Sequence, residues 1–173
     1  VTGSSISTVT GTVDEVTAAL VTGLTKVTVS SSAAVTISGT DTTTAELAAI
    51  DDATTGVIQA TLVTGNSGSF SALTDDSSNN NLTINITEAD SYSTAATVLS
   101  AIGGKTSGTV TVNGSTADTG TITGTVDEVT AALVTGATLV VVDDAAVTIS
   151  GTDTTAAELA AIDDATTGVI QAT

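Results

Sequence analysis

The side chains able to do chemistry in this chain are nearly all carboxylates. Nineteen Asp and Glu residues stand against two lysines, Lys26 and Lys105, and His, Cys, Met, Trp, Pro and Arg are absent. Four acidic doublets, Asp51-Asp52, Asp75-Asp76, Asp143-Asp144 and Asp163-Asp164, fall at what read as corners between short apolar segments. Ca²⁺ takes clustered carboxylate and carbonyl oxygens in flexible geometry, so Asp51, Asp52, Asp143, Asp144, Asp163 and Asp164 are the candidate metal ligands, with Ca²⁺ the candidate cofactor. The plainer reading makes each doublet the solvated end of a short helix or turn. It is favoured because the chain has neither a D-x-[DN]-x-[DN]-G loop nor the G-G-x-G-x-D nonapeptide of calcium-binding β-rolls. Doublets recurring once per unit could still stack into an acidic ladder, which would need counterions.

Catalysis finds little support. A Ser or Thr nucleophile needs a base, and no His or Cys exists to form a triad or dyad. Glycoside hydrolysis needs two separated acids in a cleft. Adjacent Asp51 and Asp52 point in different directions and belong to a segment repeated verbatim, whereas an active site is normally unique. The chain is expected not to be an enzyme. Three N-x-[ST] sequons, at Asn81, Asn85 and Asn113, read as coincidence in a Thr- and Asn-rich chain, two of them lying in a strand-like run. The two aromatic residues are Phe70 and Tyr92. Phe70, within GNSGSFSAL, is the candidate binding residue: a contact tip on a loop, or an anchor folding that loop inward, the anchor being favoured because large rings are so scarce.

The elements that must carry these groups follow from repetition. Residues 34 to 61, AVTISGTDTTTAELAAIDDATTGVIQAT, return at 146 to 173 with one change, Thr44 becoming Ala156, and GTVDEVTAALVTG at 11 to 23 returns unaltered at 124 to 136. The chain thus reads as a single continuous segment, 1–173, of about one and a half copies of a 112-residue repeat. Within it a shorter beat of about thirty residues runs through Glu15, Glu46, Val98, Glu128 and Glu158, with one long step of 52 residues between Glu46 and Val98. That step is expected to carry an insertion at about 65–81, projecting from the regular units and offering the place for any specific partner. Five units are expected.

Each unit is legible as strand, corner and helix. Val35-Thr36-Ile37-Ser38 alternates branched apolar with polar residues, the period of a strand with one buried face. Gly11, Gly39, Gly124 and Gly151 read as strand-to-helix corners. Thr12 with Glu15, Thr43 with Glu46, Thr125 with Glu128 and Thr155 with Glu158 form T-x-x-E capping boxes, in which hydroxyl and carboxylate satisfy the free amides of a helix start. The helices are expected to be eight to twelve residues, marginal alone and therefore docked on the strands, with their Ala-Ala pairs allowing close approach. Residues 139 to 142 and 57 to 58 read as strands buried on both faces. The expected fold class is α/β: a β/α solenoid of about 30-residue strand–turn–helix rungs, with strands stacked about 4.8 Å apart.

Composition and charge narrow the partners. Aromatics are 1% of the chain, so the core must be Val, Ile, Leu, Ala and Thr methyl groups. No Cys removes disulfides, structural zinc and thiol chemistry together. A net charge of −17 repels phosphate backbones and anionic membranes, so nucleic acid is excluded as a partner. No apolar run approaches the roughly 18 residues that cross a bilayer, so no membrane insertion is expected. The absence of an initial Met is what an internal or processed fragment would show. Exposed strand edges at the two ends make further copies of itself, or neighbouring repeats, the expected partners.

The strings VTISGTDTTAAELAAIDDATTGVI and ITGTVDEVTAAL resemble repeats in giant acidic Thr/Ala/Val-rich surface or secreted proteins of marine cyanobacteria and other marine bacteria. The resemblance covers most of the chain outside the insertion and carries no catalytic motif. It implies an extracellular or cell-surface setting and a role in a filament or in adhesion. The resulting expectation is a structural segment of an extracellular fibre or giant cell-surface protein, spanning distance and presenting surface. The alternative is a calcium-dependent adhesin that binds its partner through the insertion or an acidic ridge.

Overall fold

The computed structural model describes residues 6–22, 28–63, 65–71, 73, 80–89, 91–113 and 120–173. Strands and helices alternate through them: β1 Ile6–Thr12, α1 Val13–Leu20, β2 Val29–Ser38, α2 Thr44–Asp51, β3 Ile58–Leu62, α3 Ser67–Ser71, β4 Asn81–Ile86, β5 Ser93–Ala95, α4 Ala96–Gly103, β6 Val110–Val112, β7 Thr121–Thr125, α5 Val126–Leu133, β8 Val140–Val141, β9 Ala146–Ser150, α6 Ala156–Asp163 and β10 Ile170–Ala172. The protein is α/β, and every named strand pair is parallel.

The strands make two sheets, ordered β1-β2-β3-β4-β6-β8 and β10-β9-β7-β5. From β4 onward, each unit gives one strand to the first sheet and one to the second before entering its helix. Register puts like residues side by side. In the first sheet Leu62, Ile84, Val110 and Val140 lie in one row, and in the second Thr94, Ile122, Val147 and Ile170 do. These rows and the inner faces of the helices form one aliphatic cluster, with the Phe70 ring buried in it and Tyr92 packed against it. At about 25 cal/mol per Å² of apolar surface removed from water, rows of this kind supply the main driving force for stacking.

Sequence copies do not occupy the same sheet. β1, β2 and β3 run on through β4 into the six-stranded sheet. Their copies β7, β9 and β10 belong to the four-stranded sheet, beside β5. The local pairing is unchanged, since Val9 faces Val35 and Val35 faces Ile58, just as Ile122 faces Val147 and Val147 faces Ile170.

The four capping boxes all form. Thr12, Thr43, Thr125 and Thr155 each accept from the Glu amide three residues on, and that Glu carboxylate accepts from the Thr amide. Each of these helices is eight residues long, as is α4, which starts at Ala95 with no side-chain cap. Short helices of this length hold only because one face is buried: Val13 and Val16 in α1, Leu47 and Ile50 in α2, Leu99 and Ile102 in α4.

The long step between Glu46 and Val98 contains a sixth helix, α3, between two strands that pair directly, Gln59 to Asn81 through Leu62 to Ile84. Within the run 65–81, where an insertion is expected, residues 72 and 74–79, including Asp75-Asp76, lie outside the described residues, as does Lys26. One expectation is corrected: strands 57–58 and 139–142 are not buried on both faces. Ile58, Val140 and Val142 point inward, whereas Val57, Leu139 and Val141 are about 40% exposed, at 43%, 39% and 42%. A continuous aliphatic run does not report which alternate residues face out, and here the outer face of the sheet is uncovered.

Candidate functional site

The three described acidic doublets sit at corners, as their spacing suggests, and the backbone explains why. Asp51 and Asp163 end α2 and α6, and Asp52 and Asp164 cap them, each cap amide donating to carbonyls of the last turn. No basic residue lies in either last turn, where carboxylates meet the negative end of the helix dipole. Asp51 has a partner elsewhere: the side-chain amide of Asn80 donates to its Oδ1 at 3.0 Å. Asp143 and Asp144 lie in the bend between β8 and β9, where the Asp143 carbonyl accepts from the Thr167 amide and hydroxyl, both at 3.0 Å.

The first copy tests what those acids contribute to the bend. Ser31 stands where Asp143 stands, and its carbonyl accepts from the Thr55 amide at 2.8 Å and the Thr55 hydroxyl at 3.2 Å. The carbonyl contact is therefore kept whichever side chain stands there, although β2 runs unbroken through Ser31 where β8 and β9 are separate strands. Among the described residues no group of three or more Asp or Glu side chains converges into a set able to hold a metal ion. Asp51, Asp52, Asp143, Asp144, Asp163 and Asp164 are spread over three corners.

A second set of corner residues, not singled out by the sequence reading, does the positioning. The hydroxyl of Thr54 donates to the Ala33 carbonyl at 2.7 Å and accepts from the Gly56 amide at 3.0 Å. Thr166 repeats this with the Ala145 carbonyl at 2.8 Å and the Gly168 amide at 3.0 Å. Thr106 does the same within the middle of the chain, 3.0 Å from the carbonyls of both Asn80 and Leu82, while accepting from the amides of Leu82 at 2.7 Å and Gly108 at 2.9 Å. All three threonines are buried. The glycine two residues on is required by space, because a Cβ on Gly56, Gly108 or Gly168 would collide with the carbonyl of Ala33, Leu82 or Ala145. The signal lay in the sequence as Thr-x-Gly after each acidic or glycine-rich helix end.

Asn80 ties three units together. It is 1% exposed, its Oδ1 accepts from the Ile58 amide at 2.9 Å, its amide reaches Asp51, and its carbonyl accepts from the Ser107 amide at 2.8 Å. A buried amide satisfied on both ends costs little, whereas removing it would orphan the Ile58 donor.

Phe70 is a core residue, 1% exposed, and it is the anchor of the two readings; its ring is not available as a contact tip. Around it the first turn of α3 is fixed twice. Asn66 Oδ1 accepts from the Ser69 amide at 2.9 Å, and the Glu88 carboxylate accepts from the Ser67 amide at 2.8 Å. Of the sequons, Asn81 is exposed on β4, Asn85 Oδ1 is 3.3 Å from the Thr111 hydroxyl, and Asn113 accepts from the Glu88 amide at 2.7 Å. Residues 114 and 115 of the third sequon lie outside the described residues.

Two of the caps are electrostatically tuned. The Thr43 hydroxyl, donating at 2.7 Å, and then the Thr43 amide hold the Glu46 carboxyl below its ordinary range, and Thr155 does the same to Glu158. These groups stabilise helix starts and face no cleft. No family model, curated protein or solved structure matches the chain. No helix among the described residues is long and apolar enough to cross a membrane.

Proposed function

We propose that this chain is a structural, non-catalytic segment of an extracellular fibre, filament or giant cell-surface protein, built as a β/α solenoid whose work is to span distance and present surface. The observation that carries the reading is the recurrence of one corner device. Thr54, Thr106 and Thr166 each lock a corner onto the carbonyl of an earlier strand, with a glycine two residues on where no side chain fits. A chain that repeats its fastening points in this way is organised around stacking. In such a solenoid, load passes along parallel backbone hydrogen bonds and the aliphatic rows, and nearest-neighbour contacts supply stability roughly additively. The net charge of −17 keeps the outer surface hydrated and fits a setting of high ionic strength, where self-repulsion is screened over a few ångströms. The likeness to acidic repeats of marine bacterial surface proteins points to the same extracellular setting.

The calcium-dependent adhesin has less in its favour, since its candidate ligands are distributed over separate corners and Phe70 faces inward. Two experiments test the structural reading. A tandem concatemer of the 112-residue repeat should appear in electron micrographs as a uniform rod lengthening in proportion to copy number. Beads on flexible tethers would refute it. Thermal melting with and without EDTA should give the same midpoint; a strong drop on chelation would instead support the adhesin.

A further inference from the structure

Charge is segregated in this chain. None of the described Asp, Glu or Lys residues lies in a named strand; they sit on helices, caps, corners and connecting loops. The outer face of the six-stranded sheet is therefore uncharged along its strands, in a chain of net charge −17. It carries mostly hydroxyl and carboxamide groups instead. Thr10, Thr36, Gln59 and Asn81 stand side by side in one row, and two residues further along Thr61 faces Thr83. Beyond them Asn85 faces Thr111. Thr10, Gln59, Asn81 and Thr83 are exposed, and Thr36, Thr61 and Thr111 are half-buried.

These rows form a mesh. Strands lie about 4.8 Å apart and alternate residues about 6.6 Å apart along each strand, so outward side chains recur on two axes at fixed intervals. Parts of the mesh are pinned by its own bonds: the Thr36 hydroxyl donates to Gln59 Oε1 at 3.4 Å, and the Thr111 hydroxyl to Asn85 Oδ1 at 3.3 Å. Threonine is stiff at χ1, so its hydroxyl and methyl positions are set before contact and little side-chain entropy is lost on binding.

We infer that the outer face of the six-stranded sheet binds ice, its side chains ordering a layer of water that merges with the crystal. Three observations select this partner. A charged side chain would keep its own hydration shell, and this face has none to desolvate. The two repeat distances are close to those between water oxygens on the prism faces of ice, and threonine offers both a hydroxyl for a lattice position and a methyl group beside it. Other occupants fit less well. Sugar rings stack on aromatic faces, and the two aromatic residues lie elsewhere, Phe70 in the core and Tyr92 against Gly120. A second copy would bring its own charge of −17 to the contact. Six strands by four residues also present a projected area on the order of 400 Å², about half the roughly 800 Å² per partner of a stable protein interface. Ice is present in vast excess at a growing front, so a smaller contact holds there. The inference concerns the 173-residue chain itself and stands whether or not longer arrays form rods.

The test uses that chain at micromolar concentration in dilute buffer, with single ice crystals watched in a nanolitre osmometer. A gap should open between melting and freezing temperatures, and the crystals should become faceted. Chain labelled at its N-terminal amine should also be taken up into a slowly growing ice hemisphere. Gln59→Lys and Thr83→Lys each place a charge on an exposed position of the face and should abolish both effects, with circular dichroism and melting temperature unchanged. Ala101→Lys, at an exposed position of α4, adds the same charge and should leave both effects intact. A folded wild-type chain that opens no temperature gap and stays in the liquid would overturn the inference. So would full activity in both face variants, or equal loss in Ala101→Lys. Retention on crystalline cellulose or chitin without any effect on ice would also overturn it, assigning the face to a polysaccharide.

Discussion

The hydroxyl of Thr54 donates to the carbonyl of Ala33 at 2.7 Å across 21 residues of chain. The same bond, at 2.8 Å, joins Thr166 to Ala145. A β-branched residue is stiff at χ1, so a buried threonine holds its hydroxyl on the target while its methyl group packs with the aliphatic rows.

Not all buried threonines are used in this way, and the contrast is testable. Thr106→Val removes the acceptor for the Leu82 and Gly108 amides and should cost about 2 kcal/mol or more in urea unfolding at fixed salt. Gly108→Ala should cost at least about 2 kcal/mol, since its Cβ meets the backbone of Leu82. Thr42, 1% exposed, has a hydroxyl with no hydrogen-bond partner. Thr42→Val should therefore be neutral or stabilising by up to about 1 kcal/mol. Equal losses at positions 42 and 106 would contradict the assigned roles.

Asn80→Leu leaves the Ile58 amide and the Asp51 carboxylate without the side chain that joins them, and should destabilise by about 1–3 kcal/mol. Asp51→Asn keeps an oxygen for the Asn80 amide and removes a charge from the unfavourable end of α2, so it should be close to neutral. A double-mutant cycle on the two positions reads the coupling directly.

The caps set a specific pH dependence. Glu46 is held below its ordinary range when folded, so its contribution is fully present above the unfolded value near 4.5 and is lost as pH falls through the lowered folded value. Glu46→Gln retains an acceptor oxygen but not the charge. At neutral pH the variant should be less stable by no more than about 0.5 kcal/mol, given solvent screening, and the gap should close below the usual glutamate range. Parallel chemical denaturation at neutral pH and under acidic conditions, in high salt, measures it; a gap that widened on acidification would contradict the sign.

Phe70→Ala should cost about 3–5 kcal/mol by opening a cavity under α3. Because α3 packs against α4, hydrogen exchange should rise first through 65–71 and 96–103. Uniform acceleration across both sheets would instead mean that the stack unfolds as a single cooperative body.

What could be read from the sequence was what is local or repeated. Thr43 and Glu46 identify a helix start within four residues, and Val35-Thr36-Ile37 reveals a half-buried strand by its period. The Thr-x-Gly corners escaped because their partners lie 21 to 26 residues away, and nothing near Thr106 indicates that Leu82 will be under its hydroxyl. The helix α3 escaped because SGSFS has one apolar side chain and no T-x-x-E box, so its helical turn is fixed by Asn66, Glu88 and the burial of Phe70. The doublets at 51–52, 143–144 and 163–164 lie at corners, but their chemistry depended on whether distant corners converge. Spacing along the chain does not determine that.

The displacement of β7, β9 and β10 into a different sheet from their copies β1, β2 and β3 has a geometric outcome for any longer array. If an array stacked as proposed keeps this hand-over, a given row of outward side chains would change sheets once per 112 residues. A ligand that reads one such row would then meet its epitope on different sheets in successive repeats.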